Sequence, residues 1–204
     1  MKIGFIFECG RDGADCQVCM HFLNRLEPGI EMVPRFMDDK KNLLENCGPV
    51  AARLVESCER VVILWDLYPA WRERHIKPCR KEDRAKIFAS LRSSRVPPGK
   101  VALVCIEEEL EAWLLADIRA LRHVLAAHKH PRPVGKLPQF KNPERIRNPK
   151  TRLTKLFNQE LGAHRRYIDY QDAIRIAQAV PDFSRIRRSS TFSRFAEKTA
   201  GRKL

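Results

Sequence analysis

Glu8, Asp66 and the run Glu107, Glu108, Glu109 and Glu111 each follow a short apolar segment: KIGFIF (2–7), VVILW (61–65) and VALVCI (101–106). Carboxylates gathered at one place supply hard oxygen donors, which suit Mg²⁺ or Mn²⁺. Such an ion can orient phosphate, activate water and stabilise a leaving oxygen. The chemistry these residue types could share is therefore phosphoryl transfer. Each also has a plainer use, because an acidic residue at the start of a helix caps it or opposes its dipole. That use competes evenly for 107–111, whereas Glu8 and Asp66, each ending an apolar run with Gly or Pro nearby, favour function.

These residues need strands and helices to position them. KIGFIF reads as a buried strand ending in a turn, and Asp12 or Asp15 offers a cap for a helix through Val18, Phe22, Leu23 and Leu26. IEMVPRF (30–36) reads as a second strand, on an edge or with a bulge because of Pro34. Asp38 and Asp39 precede a helix through Leu43, Leu44, Val50, Leu54 and Val55, which Gly48-Pro49 should interrupt. VVILW is a continuous apolar run, as expected of a strand covered on both faces. An irregular stretch (68–81) leads to a helix over 82–93 with Ile87, Phe88 and Leu91 on one face, and then to VALVCI.

Helical pattern resumes at Glu107 as a stripe of Leu110, Trp113, Leu114, Ile118 and Leu121, with Trp113 read as core rather than a base-stacking platform. Residues 129–150 form a Pro-rich basic loop, and helices follow near 149–161 and 169–179. Strands alternating with helices predict an α/β fold with a mostly parallel four-stranded sheet flanked by helices. Residues 1–118 form this core, and 119–204 form a basic, mainly helical extension packed on the same domain. In such a sheet, ligands bind beyond the carboxyl ends of the strands, where the acidic residues stand.

The 204 residues carry a net charge of +14, and its placement is uneven. Residues 1–118 hold 18 Lys+Arg against 19 Asp+Glu, and residues 119–204 hold 21 against 6. A basic half next to an acidic site favours a polyanionic partner, nucleic acid being the commonest. Lys150, Arg152, Arg185, Arg187, Arg188 and Arg194 are the candidate phosphate contacts, with the hydroxyls of Ser189, Ser190 and Thr191 beside them. His75, His123, His128, His130 and His164 sit in basic, loop-like or helical settings and suit surface or phosphate contact better than base catalysis. Seven scattered cysteines fit free thiols in a reducing compartment. Cys9, Cys16, Cys19 and His21 have ligand-like spacing for zinc, but a structural site pairs two such knuckles, so Cys16 and Cys19 read as small residues of the first helix. No stretch approaches the about 18 apolar residues of a membrane span, and the N-terminus does not read as a signal peptide. A cytoplasmic protein is expected.

FECGRDGAD, LWDLYPA and EEELEAWLLAD resemble the three signature segments of a bacterial domain-of-unknown-function family with a TOPRIM-like fold. NPKTRL (148–153) and FSRIRRSSTFSRF resemble its C-terminal segments, so the likeness spans nearly the whole chain. TOPRIM domains, including those of overcoming-lysogenisation-defect nucleases, use a Glu after the first strand and an Asp-x-Asp after a later one. The resemblance assigns these places to Glu8 and Asp66, while Tyr68 stands at the second Asp and Cys9 where many relatives continue into Gly. It implies a Mg²⁺- or Mn²⁺-dependent nuclease or related phosphoryl-transfer protein in phage defence or genome maintenance. Glu8 would be general base or ligand, with Asp66, Glu111 and Glu109 holding the ion. The alternative that Tyr68 suggests is an inert TOPRIM-like module that binds nucleic acid or docks on an ATPase partner.

Overall fold

A parallel sheet must be covered on both faces, and strand alternation here sorts the side chains into two cores. A computed structural model describes residues 1–68, 78–129, 133–162 and 164–204. Strands β1 (Lys2–Phe7), β2 (Glu31–Phe36), β3 (Arg60–Asp66) and β4 (Val101–Ile106) run all parallel in the order β2-β1-β3-β4. Ile3, Phe5 and Phe7 of β1 face one core with Val62, Leu64, Val104 and Ile106; Ile6 faces the other with Val61, Ile63, Trp65, Leu103 and Cys105. Pro34 lies on the edge strand β2, where its missing donor is tolerated.

Helices α2 (Lys40–Val55) and α3 (Arg80–Ser93) cover the second face. The first carries α1 (Ala14–Leu26), α4 (Glu111–Ala116), α5 (Ile118–Lys129), α6 (Pro149–Leu161), α7 (Ile174–Gln178) and α8 (Ser190–Ala200), so residues from Ile3 to Ala196 share one cluster. Trp113 is fully buried in it, edge-on to Phe192.

The structure corrects four local expectations. Gly48-Pro49 does not interrupt α2. Pro49 has no N–H for the carbonyl of Glu45, but Ser90 Oγ of α3 donates to that carbonyl at 2.9 Å and accepts from Gly48 N–H at 2.9 Å. A Cβ on Gly48 would lie 2.1 Å from the Ser90 carbonyl oxygen, so glycine is what lets α2 and α3 touch. The first turn of α1 is not capped by Asp12 or Asp15: its cap is Gly13, where a side chain would strike Cys9, and Asp15 lies inside the helix. The stripe from Glu107 is not one helix, because Asp117 leaves helical geometry and its carboxylate accepts from Arg119 N–H at 3.0 Å, starting α5 afresh. Phe88 is exposed, apart from its neighbours Ile87 and Leu91, and stacks under Arg84. The C-terminal region is helical as expected, and its Arg- and Ser-rich tail joins the core, for α8 buries Phe192 and Phe195, each worth ~1.5–3 kcal/mol.

Cys16 and Cys19 are buried on α1, and all seven thiols are free. Among the described residues, no helix is long and apolar enough to cross a membrane. Of the irregular 68–81 stretch, residues 69–77, including His75, lie outside the described residues, as do 130–132, including His130, of the Pro-rich loop.

Candidate functional site

The order β2-β1-β3-β4 has its switch point between β1 and β3, and in open α/β sheets the ligand crevice lies beyond the carboxyl ends of such a pair. Glu8 leaves β1 at that point and Asp66 ends β3. Their backbones are tied, since Glu8 N–H donates to the Leu64 carbonyl at 3.3 Å and Asp66 N–H donates to Glu8 Oε2 at 3.2 Å. Alternation turns Asp66 toward the face of Val62 and Leu64, under α1 and α4. There Asp66 Oδ2 accepts from Leu110 N–H at 3.3 Å. Its other oxygen, Oδ1, is buried without a hydrogen-bond partner.

Three further carboxylates surround Asp66. Glu111, in the first turn of α4, is buried and accepts from the Tyr167 hydroxyl at 3.1 Å. Glu109 Oε2 accepts from Lys150 N–H at 3.0 Å, which brings the first turn of α6 to the crevice. Asp15 comes from the first turn of α1. Glu108 adopts left-handed backbone, φ 63°, as the chain turns from β4 into α4, and its carbonyl accepts from Tyr68 N–H at 3.0 Å.

The electrostatics follow from burial and like charge. Burial pushes Glu8 up to about 7 against the pull of Lys40. Burial, then Glu8, pushes Asp15 up to about 7, and burial with Asp15 does the same to Glu111. Asp66 is raised well above the carboxylate range by burial, Asp15, Glu8 and Glu111, and burial raises Glu109. Burial also raises the neighbouring Cys9 thiol far above neutrality, which removes it as a nucleophile.

Two cations flank the group. Lys40, buried at the start of α2, donates to the carbonyls of Asp66 and Leu67 at 2.8 Å each and pairs with Asp83 at 3.2 Å. Lys150 pairs with Asp169 on the opposite side; burial would lower its ammonium, but Asp169 and Glu111 hold it above its ordinary value.

The five carboxylates adjoin one another without closing on a common point: among the described residues, no three His, Cys, Asp or Glu side chains form a group that could hold a metal ion. The donor chemistry still fits a hard divalent cation. Desolvated like charges are costly without a counter-charge, and Asp66 Oδ1 is an acceptor with nothing to accept from.

The residues expected from sequence fall in different places. Glu8, Asp66, Glu109 and Glu111 come together. Lys150 joins them rather than a separate basic surface. Arg152 and Arg185 line a cavity between α5 and α6, and Arg187, Arg188 and Arg194 flank a second recess near the chain end. The hydroxyls of Ser189 and Thr191 are not available to phosphate, because both residues are buried. Ser189 caps α8 and bonds Glu144, Thr191 accepts from Trp113 Nε1 at 2.9 Å, and Ser190 also bonds Glu144. His123 lines the α5–α6 cavity, and His128 lies 3.4 Å from Arg165.

Asp15, Lys40 and Tyr167 were missed as parts of the site. Asp15 had a signal, its place one short turn after the first strand. Lys40 and Tyr167 had none, since neither position within its own segment points to a strand end far away in sequence.

No curated protein and no solved structure matches the chain. A family model does, over residues 31–198, which takes in Asp66, Glu109, Glu111 and Lys150 and begins beyond Glu8 and Asp15. The chain belongs to the family described as Domain of unknown function (DUF4276).

Proposed function

We propose that the protein is a Mg²⁺- or Mn²⁺-dependent phosphoryl-transfer protein, a nuclease by preference, with a TOPRIM-like site at the β1–β3 switch point. The observation that carries this is the set of desolvated carboxylates around Asp66, one of whose oxygens is buried without a partner. Glu8, Asp66, Glu109 and Glu111 would have to draw together to hold the ion, since they do not close on a common point in this arrangement. Such an ion supplies Lewis-acid stabilisation of phosphoryl charge and lowers the pKa of an attacking water.

The chain's own groups do the rest. Glu8, raised to about 7, can take up or release a proton near neutrality, as a general base must. Lys150 offers a cation on the rim where a phosphate would lie, and Asp169 fixes its direction. Arg187, Arg188 and Arg194 extend the grip on a nucleic-acid backbone. A cytoplasmic role in phage defence or genome maintenance accords with the TOPRIM-like resemblance.

The test is cleavage of labelled DNA and RNA, single- and double-stranded, with Mg²⁺, Mn²⁺ or chelator. Metal-dependent cleavage that is lost in Glu8→Gln and Asp66→Asn is expected. Cleavage that persists unchanged in both variants, or no cleavage of any substrate, overturns the assignment.

Tyr68 at the second Asp position favours a second reading, an inert module that binds nucleic acid or docks on an ATPase partner. Nucleic-acid affinity equal with and without Mg²⁺, in the absence of cleavage, would select it.

A further inference from the structure

A cavity of about 1020 Å³ opens between α5 and α6 under residues 136–139, away from the strand ends. Five cations line it: Arg119 and Arg122 from α5, Arg152 from α6, Lys136 from the covering segment, and Arg185. Its described lining holds no carboxylate. Asp117, fully buried behind it, grips Arg119 through Nε at 2.9 Å and Nη2 at 2.6 Å, and Asp182 meets the other side of that guanidinium at 3.2 Å. Arg185 lies 4.0 Å from the same Asp117. These two aspartates therefore offset two of the five charges, and their hydrogen bonds fix the Arg119 guanidinium in place.

The other three cations are met differently. Arg122 donates to the neutral carbonyl of Val134 at 3.2 Å, and the Arg152 guanidinium stands 5.7 Å over the Phe140 ring. Lys136 is exposed on the rim. Their charges are concentrated on one concave volume rather than spread along a stripe. Ile118, Leu137, Pro138 and Leu156 give the same cavity an apolar wall.

A long basic stripe suits a nucleic-acid backbone, whereas a concave site of this size with cations on one part and an apolar wall on another suits a compact ligand. Guanidinium groups match phosphate oxygens as planar charged donors, and Arg119, held by buried Asp117, gives the site a fixed positive edge beside the three cations that no carboxylate of the described lining offsets. We infer that the α5–α6 cavity binds a nucleoside polyphosphate, with linked phosphates among Arg122, Lys136 and Arg152 and the base or sugar against Leu137 and Leu156. This does not depend on the carboxylate crevice or on metal.

Calorimetric titration of the full chain in chelator and low salt tests it, with ATP, inorganic tripolyphosphate and a short single-stranded oligonucleotide as probes. ATP should bind one per chain and more tightly than tripolyphosphate, because only ATP uses the apolar wall. Arg122→Ala and Arg152→Ala should each weaken ATP about tenfold, the loss expected for one charge-assisted hydrogen bond. Both side chains are exposed, so the melting temperature should move little, and Arg53→Ala, on the exposed surface of α2, serves as the control that leaves ATP binding intact. No ATP binding, affinity indifferent to both variants, ATP no tighter than tripolyphosphate, or an oligonucleotide as the only ligand that binds would each overturn the inference.

Discussion

The strand-end crevice and the α5–α6 cavity both gather charges of one sign, but they hold them in opposite ways. In the crevice, Asp66 and Glu111 are desolvated, and burial with like charge raises both carboxyls, Glu111 to about 7. In the cavity, Arg122, Lys136 and Arg152 stay exposed to solvent, and Arg119 rests on buried Asp117 and exposed Asp182. Desolvated like charges escape repulsion by taking up protons or a counter-ion; solvated ones escape it by screening. The crevice should therefore respond to pH and divalent metal, and the basic half to salt.

The largest effect expected is on turnover. Removing a proton-handling or ion-holding carboxylate should lower metal-dependent cleavage by on the order of a hundredfold or more. Single-turnover rates of Glu8→Gln and Asp66→Asn, set beside Arg187→Glu, separate the two regions. The crevice variants should lose rate at saturating substrate, and the tail variant should lose affinity alone. An equal loss of saturated rate in all three would erase the distinction.

Stability without metal should fall as the pH rises. A carboxyl that binds its proton more tightly when folded contributes stability that is complete below its unfolded pKa and is lost as pH rises through the folded value. Glu8 and Glu111 move from 4.5 unfolded to about 7 folded, so the loss falls between those values. Each contributes a slope of up to about 1.4 kcal/mol per pH unit, less where the groups titrate together. Urea midpoints should be higher at pH 5 than at pH 7.5, and Mg²⁺ or Mn²⁺ should flatten the difference. A profile that climbs over this range would mean the crevice holds its charges without cost.

The basic half should show the opposite sensitivity. Each lost phosphate contact makes the dependence of log affinity on log salt shallower by about 0.9 for duplex DNA and about 0.7 for a single strand. Reversing Arg187, Arg188 and Arg194 to Glu should remove up to three contacts. Glu8→Gln should leave the slope where it was. Filter-binding curves across a salt series decide this, and a slope unmoved by the reversals would detach the tail face from nucleic acid.

How far each region could be read from sequence follows from the same physics. β1, β3 and β4 were legible because strands covered on both faces appear as unbroken apolar runs, and Glu8 and Asp66 were legible because they stop those runs. Parallel pairing then brings the two together. Asp15, Lys40 and Tyr167 were not legible as site residues, since helix packing decides what each touches. The hydroxyls of Ser189 and Thr191 misled for a related reason: IRRSSTFSRF looks polar along the chain, yet Thr191, Phe192 and Phe195 share one buried face of α8. Pro49 misled because its remedy, Ser90, lies on another helix.

The smallest effect expected is at Tyr167, and it sharpens the contrast because it reads the protonation of one crevice carboxyl. Its hydroxyl donates to Glu111 Oε1 at 3.1 Å, and both groups are buried. Tyr167→Phe keeps the ring, which packs edge-on to Phe157 at 5.5 Å between centroids, and removes only the donor. A hydrogen bond to a neutral acceptor is worth about 1 kcal/mol net, and one to an ionised acceptor about 1.5–3 kcal/mol. Glu111 titrates near 7, so the variant should cost about 1 kcal/mol at pH 5 and more at pH 8, where the bare carboxylate is left buried. The donor also favours the ionised form, so its removal should raise the Glu111 pKa further and steepen the fall of stability with pH. Urea denaturation of the two proteins at both pH values measures the difference. A cost that is the same at pH 5 and pH 8 would show that Glu111 does not change charge between them, and the crevice would then hold a fixed charge there, as the basic half does.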